Sequence, residues 1–599
     1  MNVQEAMKNA YLSAENLEWE GTFGEYLEMV REHPNLAQNA HSRVYNMILK
    51  AGVSVDESGR KVYHFFDDLY GIGETTTKLV ESYFKPAALG LDTKKRMLLM
   101  MGPVSSGKST IASLIKKGLE AYSQTDEGAL YAIKGCPMNQ DPLLLVPEHL
   151  RETYEKELGI AIEGELNPYT KLYVKELLEQ LDGDVMKLPV KRLLLSEQMR
   201  TGIGTFSPSD PKTQDVSELI GSIDFSKISE YGSESDPRAY RFDGELNISN
   251  RGVVEFQEIL KCDQKFLWNL LSLTQEGNFK AGRFALISAD EVILAHTNET
   301  EYKKFVADNR NEALRSRMLV VHTPYNLSVE EEVKTYKTII GNKVNLSLLP
   351  PFALQAVAEF SILTRLKDDG KLSEKLDAYQ KGEKRSENEG MSGIDPRFIV
   401  NVISHLLANA DSGIVTAYDL LEGIRDGLHE HPSIEDRLKQ DYITFLETAK
   451  RRYQNAVRED VSRFFTEQDK GGSESLFARY VEHAKAYMEQ TIDRDYENMM
   501  REVETLIGVG ERAKQGFREE IVMHESLYRE KGDSFTLSSH PNLERAIRKR
   551  ALRDMKEAFR LNEEKIEDVV RAYANEKGCS IPVAESVVND VLEEIHKTA

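Results

Sequence analysis

The sequence of 599 residues lacks an apolar run of about 18 residues or more, which is the minimum for a membrane-spanning helix. Segment 1–20 is acidic and has no apolar stretch, so we predict that it is not a secretory signal peptide. Cysteine is also scarce, because the chain has only 3, at Cys136, Cys262 and Cys579. Their wide separation fits neither a disulfide framework nor a zinc site and favours a reducing compartment. We therefore expect a cytoplasmic protein.

Positive charge is in deficit as well. Lys and Arg total 77 against 99 Asp and Glu, which gives a formal net charge of −22. A chain with this charge is a poor general binder of nucleic acid, and we interpret the basic segment 543–560 as a solvated helix face. Hydrophobic residues make up 40% and charged residues 29%, which is typical of a folded protein. At roughly 150 residues per domain, we expect about three or four domains.

Strand-like and helical segments alternate from about residue 91 to 330, which predicts an α/β domain with an open parallel sheet covered by helices. We predict strands at 95–101, 252–256, 284–287, 291–295 and 318–322. After residue 395 the pattern is almost wholly helical. The fold class predicted from the sequence is therefore an α/β core with a parallel sheet, followed by a mainly α-helical region.

The segment after the first predicted strand matches the phosphate-binding motif G-x-x-x-x-G-K-[ST] in full, and a helix is predicted at about 108–122. Glycines let such a loop wrap so that backbone N–H groups point at phosphate oxygens. The helix N-terminus adds partial positive charge, the lysine reaches the β- and γ-phosphates, and the following serine ligates Mg²⁺. The predicted nucleotide-binding residues are Gly102, Pro103, Val104, Ser105, Ser106, Gly107, Lys108, Ser109 and Thr110.

Hydrolysis also needs a carboxylate that activates water, and the segment Asn250–Ile259 offers one where the strand 252–256 ends. This segment resembles the AAA+ ATPases, in which N-R-G precedes a hydrophobic strand and an Asp-Glu pair. The resemblance implies that Glu258 is the catalytic base. Gln257 replaces the Mg²⁺-associated Asp, so we predict Glu255 as a metal ligand beside Ser109. In the alternative interpretation, Glu258 only begins a helix at 258–272.

Three further positions follow from the same resemblance. Asn298, at the tip of the strand 291–295, matches the residue that orients the attacking water, although it also fits a turn-capping role. Arg315 or Arg317 matches the arginine finger that reaches the γ-phosphate of a neighbouring subunit, and the sequence does not choose between them. Arg397, at the start of a predicted helix, matches a lid arginine that touches the γ-phosphate.

Longer segments make a more specific resemblance. They are Tyr131–Asn139, Arg200–Lys212, Ile220–Ser226, Tyr231–Leu246 and Phe266–Arg283, with Trp19–Phe23 and Ala40–Arg43. Together they resemble the PrkA family of bacterial serine protein kinases. Membership implies an AAA+ module with a helical C-terminal region, transfer of phosphate from ATP to protein serine or threonine, and often a link to stress response or sporulation.

The usual protein-kinase motifs H-R-D-x-x-x-x-N and D-F-G do not occur, so two alternatives stay open: an ATP-dependent protein remodeller and a Lon-like protease. By this resemblance we expect ATP and Mg²⁺ as cofactors, a protein substrate and a homo-oligomeric ring. We predict four parts. They are a helical N-terminal segment (1–90), an AAA+ core (91–330) with a long insert at about 136–246, a helical lid (331–450) with a charged insertion at 366–393, and a helical C-terminal domain (451–599).

Overall fold

The computed structural model describes residues 17–597 except for 58, 209–214, 282–285, 342–345, 368–369, 382–388, 411–413, 432–433, 469, 532–533 and 560–562. The chain forms two compact units. The first consists of 1–331 with 365–367 and 381–395, and the second of 332–364, 368–380 and 396–599. The four-part division made from the sequence stays a prediction.

A parallel sheet of five strands forms the core of the first unit. In chain order the strands are β1 (Met97–Met101), β2 (Ile203–Phe206), β3 (Val253–Phe256), β4 (Val292–Thr297) and β5 (Met318–His322). Their order across the sheet is β5-β1-β4-β3-β2, and every neighbouring pair is parallel. Four of the five predicted strands therefore lie in this sheet, and their carboxyl ends meet at one edge.

Helix α1 (Lys108–Ser123) follows β1 and packs on the sheet. Ile111, Ile115 and Leu119 recur at helical spacing, are fully buried, and share a cluster with Leu98 and Met100 of β1. Each buried aliphatic side chain stabilises this packing by about 1.5–3 kcal/mol. The packing holds the N-terminus of α1 beside the carboxyl end of β1.

The remaining strands differ from the prediction. Leu286–Ser288 pairs antiparallel with Asn278–Lys280 and is not part of the parallel sheet, so that prediction for 284–287 was wrong; residues 284–285 lie outside the described part of the chain. Short segments also form an antiparallel sheet that the sequence analysis missed. Its strands are Glu20–Thr22, Pro189–Leu193 and Leu130–Ile133. Two-stranded pairs occur at Val53–Val55 with Lys61–Tyr63 and at Ser222–Ile223 with Tyr240–Arg241. The segment 1–90 is thus not helical throughout.

The other helices of the first unit are Phe23–Glu32, Ala40–Lys50, Gly73–Leu79, Lys85–Ala88, Glu148–Leu158, Pro168–Gln180, Ser217–Ile220, Phe225–Tyr231, Glu245–Ile248, Gln264–Glu276, Glu299–Ala307 and Glu312–Arg315. The helices of the second unit are Val329–Ile340, Ala353–Arg365, Leu372–Gln380, Pro396–Ala408, Ala417–Glu430, Asp436–Gln468, Lys470–Met488, Arg494–Thr505, Lys514–Lys531, Pro541–Phe559, Glu563–Lys577 and Ile581–Lys597. The helix Val329–Ile340 belongs to this unit from residue 332 onward. The predicted helical C-terminal region is confirmed. Among the described residues, no helix combines the length and apolarity needed to cross a membrane.

Candidate functional site

The phosphate-binding loop lies between β1 and α1, at the carboxyl edge of the sheet. Gly102 begins it, and its N–H donates to the Thr297 carbonyl oxygen at 3.3 Å. A Cβ at this glycine would lie 2.0 Å from the Thr323 carbonyl oxygen, so a larger residue would push the loop away from β5. The sequence requires glycine here because two neighbouring strands crowd the start of the loop.

At the other end of the loop, Gly107 has a φ of 90°, a left-handed conformation that glycine adopts without strain. The Lys108 ammonium group then turns back into the loop. It donates to the carbonyl oxygens of Gly102 at 2.9 Å and Pro103 at 2.5 Å, and to Ser106 Oγ at 3.4 Å. Burial lowers the pKa of Lys108 to about 8, while the nearby Glu258 charge acts in the opposite direction. The lysine charge is therefore costly until an anion approaches it.

Two side-chain hydroxyl groups in and beside the loop make no hydrogen bond among the described residues. Ser105 Oγ and Thr297 Oγ1 are both buried, and neither has a hydrogen-bond partner among the described residues. Ser109 and Thr110 are exposed in the first turn of α1, at its positive end. Phosphate binding at this loop and Mg²⁺ binding by the Ser109 hydroxyl stay predictions, and the exposed helix N-terminus is consistent with them.

Glu258 and Asn298 meet beside this loop. Asn298 follows β4, and its Nδ2 donates to Glu258 Oε2 at 3.3 Å. Its Oδ1 also accepts from the Glu301 N–H at 2.9 Å and caps the helix Glu299–Ala307. The capping role of Asn298 is therefore observed, whereas its role in orienting the attacking water stays a prediction.

The backbone of Glu258 is strained. Its φ and ψ of 48° and 45° place a non-glycine residue in the left-handed region, which costs about 1–3 kcal/mol and is common at functional sites. A short turn, Ile259–Lys261, follows, and the helix begins only at Gln264. The alternative interpretation of Glu258 as the first residue of a helix at 258–272 is therefore wrong.

Glu255 has a different setting from its neighbour. It lies inside β3 and is 2% exposed, with Lys116 Nζ at 2.6 Å from its Oε2 and His296 Nε2 at 3.2 Å from its Oε1. Hydrogen bonds from these partners lower the pKa of Glu255 even though burial raises it. Its role as a metal ligand stays a prediction, and both carboxylate oxygens have protein partners here. Gln257 donates its backbone N–H to the Phe206 carbonyl oxygen at 2.9 Å.

The two candidate finger arginines differ in their contacts. Arg317 Nη1 donates to the Ala313 carbonyl oxygen at 2.9 Å, and its Nη2 contacts Gln275 Oε1. Arg315 is exposed beside a small cavity of about 170 Å³, and within the described part of the chain its guanidinium makes no ion pair or hydrogen bond. Arg315 is thus the one available to another molecule. Arg397 lies at the start of the helix Pro396–Ala408 of the second unit and is exposed.

Sequence reasoning missed Lys116, Glu197 and His296. The available signal was a charged or imidazole side chain within an otherwise apolar buried segment: Glu255 in Val253–Phe256 and His296 in Val292–Thr297. Such groups need partners when buried. The sequence did not show which lysine supplies the partner.

The second unit contains another group of potential ligands, Glu520, His524 and His540, whose ligand atoms lie within 4.8 Å of one another. His540 Nδ1 accepts a hydrogen bond from the Leu543 N–H at 3.1 Å. In the neutral ring the proton must then be on Nε2, the atom that faces Glu520 at 3.6 Å. A protonated Nε2 cannot ligate a metal, so this geometry favours a helix cap over a metal site.

Family models cover both parts of the chain. The model of the PrkA AAA domain matches residues 21–373, and that of the PrkA serine protein kinase C-terminal domain matches residues 364–578. The chain belongs to the PrkA family. The α/β AAA+ fold with a parallel sheet, predicted from the sequence, is confirmed by this match and by the five-stranded sheet.

The relatives carry different activity names. The Bacillus subtilis (strain 168) protein named ATP-dependent protease PrkA is 49% identical over 576 residues, which are 91% of this chain and 90% of the relative. Serine/threonine kinase YeaG of Escherichia coli (strain K12) is 28% identical over 543 residues, or 83% of this chain and 81% of the relative. Among solved structures, NtrX from Brucella abortus in complex with ADP is 12% identical, with a TM-score of 0.27, over 63% of this chain and 64% of that one.

Proposed function

We propose that this chain hydrolyses ATP at the loop between β1 and α1. The observation that carries this proposal is the meeting of Glu258, Asn298 and the Lys108 loop at one edge of the sheet. The elements that bear them are far apart in sequence, and parallel pairing of β1, β4 and β3 brings their ends together. A phosphate cradle beside a carboxylate that can act as a base or position water suits phosphoryl transfer to water.

Each group has a separate task in this reaction. The loop N–H groups and Lys108 bind the phosphates, and Lys108 stabilises the negative charge that develops on the oxygens. Glu258 accepts a proton from the attacking water, and Asn298 orients that carboxylate through its Nδ2–H. Mg²⁺, held through the Ser109 hydroxyl, would neutralise phosphate charge when it binds with the nucleotide.

We further propose that Arg315 acts on the nucleotide of a neighbouring copy. Its guanidinium is exposed and unengaged among the described residues, whereas Arg317 is bound within its own chain. A guanidinium supplied by a neighbour stabilises transition-state charge and is worth ~10³–10⁵ in rate. The active site would then be complete only in an oligomer, as expected for a ring. The lid role of Arg397 is also a proposal.

The acceptor of the phosphoryl group decides the biological activity. If a serine hydroxyl of a protein replaced water beside Glu258, the same site would act as a protein kinase, which is the second candidate function. Its support is the family model for residues 364–578 and the name of the Escherichia coli relative. The name of the Bacillus subtilis relative supports ATP-dependent proteolysis instead.

One experiment separates these functions. Purified protein, radiolabelled ATP, Mg²⁺ and casein are incubated together, with Lys108→Ala as the inactive control. Phosphate release alone indicates an ATPase without kinase or protease activity on casein, labelled casein indicates a kinase, and casein fragments indicate a protease. Phosphate release by the Lys108→Ala variant equal to that of the wild type would refute the proposed site.

A further inference from the structure

Three ionisable side chains that are not part of the phosphate-binding loop lie within the core of the first unit. They are Lys116 on α1, Glu255 on β3 and His296 on β4, and their side chains are 7%, 2% and 6% exposed. Burying such groups is costly unless they are paired and hydrogen-bonded. Most of the neighbours of Glu255 and His296 in their strands are apolar, so the presence of these two side chains needs an explanation.

Glu255 joins the other two side chains. Its Oε2 is 2.6 Å from Lys116 Nζ, and its Oε1 is 3.2 Å from His296 Nε2. Lys116 Nζ also donates to Glu197 Oε1 at 2.6 Å and to Thr205 Oγ1 of β2 at 2.9 Å. The network therefore connects α1 with three adjacent strands through side chains, in addition to the backbone pairing of the sheet.

The same strands lead directly into the proposed catalytic groups. Glu255 on β3 precedes Glu258 by 3 residues, and His296 on β4 precedes Asn298 by 2 residues. On α1, the network residue Lys116 lies 8 residues after Lys108, the first residue of the helix. A shift of β3 relative to α1 would therefore move the carboxylate relative to the phosphates.

Stability alone does not explain this network. Buried ion pairs are often no more stabilising than well-packed apolar residues of similar volume, whereas they can specify one arrangement of the elements they join. We propose that Lys116, Glu255 and His296 are positioning residues that hold Glu258 and Asn298 in register with the phosphate-binding loop. This inference rests on the proposed ATP hydrolysis at that loop.

The inference separates hydrolysis from binding. The proposed phosphate cradle consists of loop backbone and Lys108, whose ammonium group donates hydrogen bonds to Gly102, Pro103 and Ser106 of the loop. Nucleotide affinity should therefore survive loss of the network. Hydrolysis should not, because a displacement of about 1 Å in a catalytic group can cost about 10²-fold in rate.

The test uses Glu255→Gln, which keeps the size of the side chain and removes its charge. We expect kcat to fall about 10- to 100-fold while the Kd for a fluorescent ATP analogue stays within about 3-fold. Lys116→Arg, which keeps the charge, should retain more activity than Lys116→Met. The double variant Lys116→Met/Glu255→Gln should be no slower than the slower single variant, because both act through one network.

A matched control is Glu504→Gln in the second unit. Glu504 forms a buried ion pair with Arg518 at 2.5 Å, and the two side chains are 0% and 2% exposed. This control should lower the denaturation midpoint without the selective loss of kcat. If Glu255→Gln fails to fold, the comparison of Lys116→Arg with Lys116→Met carries the test.

Two results would overturn the inference: a kcat of Glu255→Gln within about twofold of the wild type, or a loss of nucleotide binding parallel to the loss of kcat. If the wild type hydrolyses no ATP, the proposed function is refuted. The positioning role is then tested separately by amide hydrogen exchange. Glu255→Gln should speed exchange at Glu258 and Asn298 more than at β5. Equal exchange in the two proteins would refute it.

Discussion

Replacing Glu258 by Gln tests the centre of the proposed mechanism with little disturbance of the fold. The Glu258 side chain is 32% exposed, and an amide oxygen can still accept from Asn298 Nδ2. Gln at a φ of 48° has the same backbone cost as Glu, so folding stability should change by less than about 1 kcal/mol. The variant loses the proton acceptor and the negative charge, which includes the ion pair between Glu258 Oε2 and Lys261 Nζ at 3.5 Å.

The expected loss in kcat is ~10²–10⁴, the usual contribution of a general base, which corresponds to about 3–5 kcal/mol of transition-state free energy. ATP affinity should be equal or higher, since removing a negative charge near Lys108 reduces repulsion of the phosphates. Phosphate release in single turnover measures the first quantity, and calorimetric titration with ATP measures the second.

Glu299→Gln is the matched control. Glu299 directly follows Asn298 and pairs with Lys303 at 2.7 Å on the surface, where an ion pair is worth about 1 kcal/mol or less. Its substitution should leave kcat within about twofold of the wild type, as is usual for a surface change. The reasoning is refuted if Glu258→Gln hydrolyses ATP at the wild-type rate, or if both variants lose activity equally.

Three further outcomes are expected. Arg315→Ala should lower the ATPase rate of concentrated protein far more than Arg317→Ala does. Mixing Arg315→Ala chains with Lys108→Ala chains should restore activity. A strictly monomeric protein whose specific activity does not change on dilution would refute the role of Arg315 as an arginine finger. ATP should bind more weakly as pH rises above about 8, up to about tenfold per pH unit, because the free protein then loses the Lys108 charge; Lys108→Arg should show no such change in a pH series of Kd values. Burial raises the pKa of Glu291 to about 8, so ionising this carboxyl group costs more free energy in the folded protein than in the unfolded chain. The resulting loss of stability is absent below about pH 4.5 and grows as pH rises to about 8. Glu291→Gln should therefore raise the urea midpoint more at pH 8 than at pH 5; an equal shift at both values would contradict this.

Local chemistry explains why the phosphate-binding loop could be predicted from the sequence. The motif from Gly102 to Ser109 is contiguous, and its function depends on backbone conformation and one helix N-terminus. The fully buried strand β1 and the partly buried strand β5 also stand out as short apolar runs. The assignment of 284–287 to the parallel sheet failed because an apolar run does not reveal its partner: Leu286–Ser288 is a strand, but it pairs antiparallel with Asn278–Lys280.

Residues distant in sequence could be assigned to the site only through resemblance, and the tertiary structure decided their geometry. Pairing of β3 with β4 brings Glu258 to Asn298, and the turn after β3 gives Glu258 its strained backbone. The structure also separated Arg315 from Arg317 and gave Glu255 partners on α1 and β4. The physical reason is that a side chain's contacts depend on how its element packs. The sequence by itself determined the loop, the apolar strands and the helical C-terminal region, whereas packing alone decided which polar groups meet.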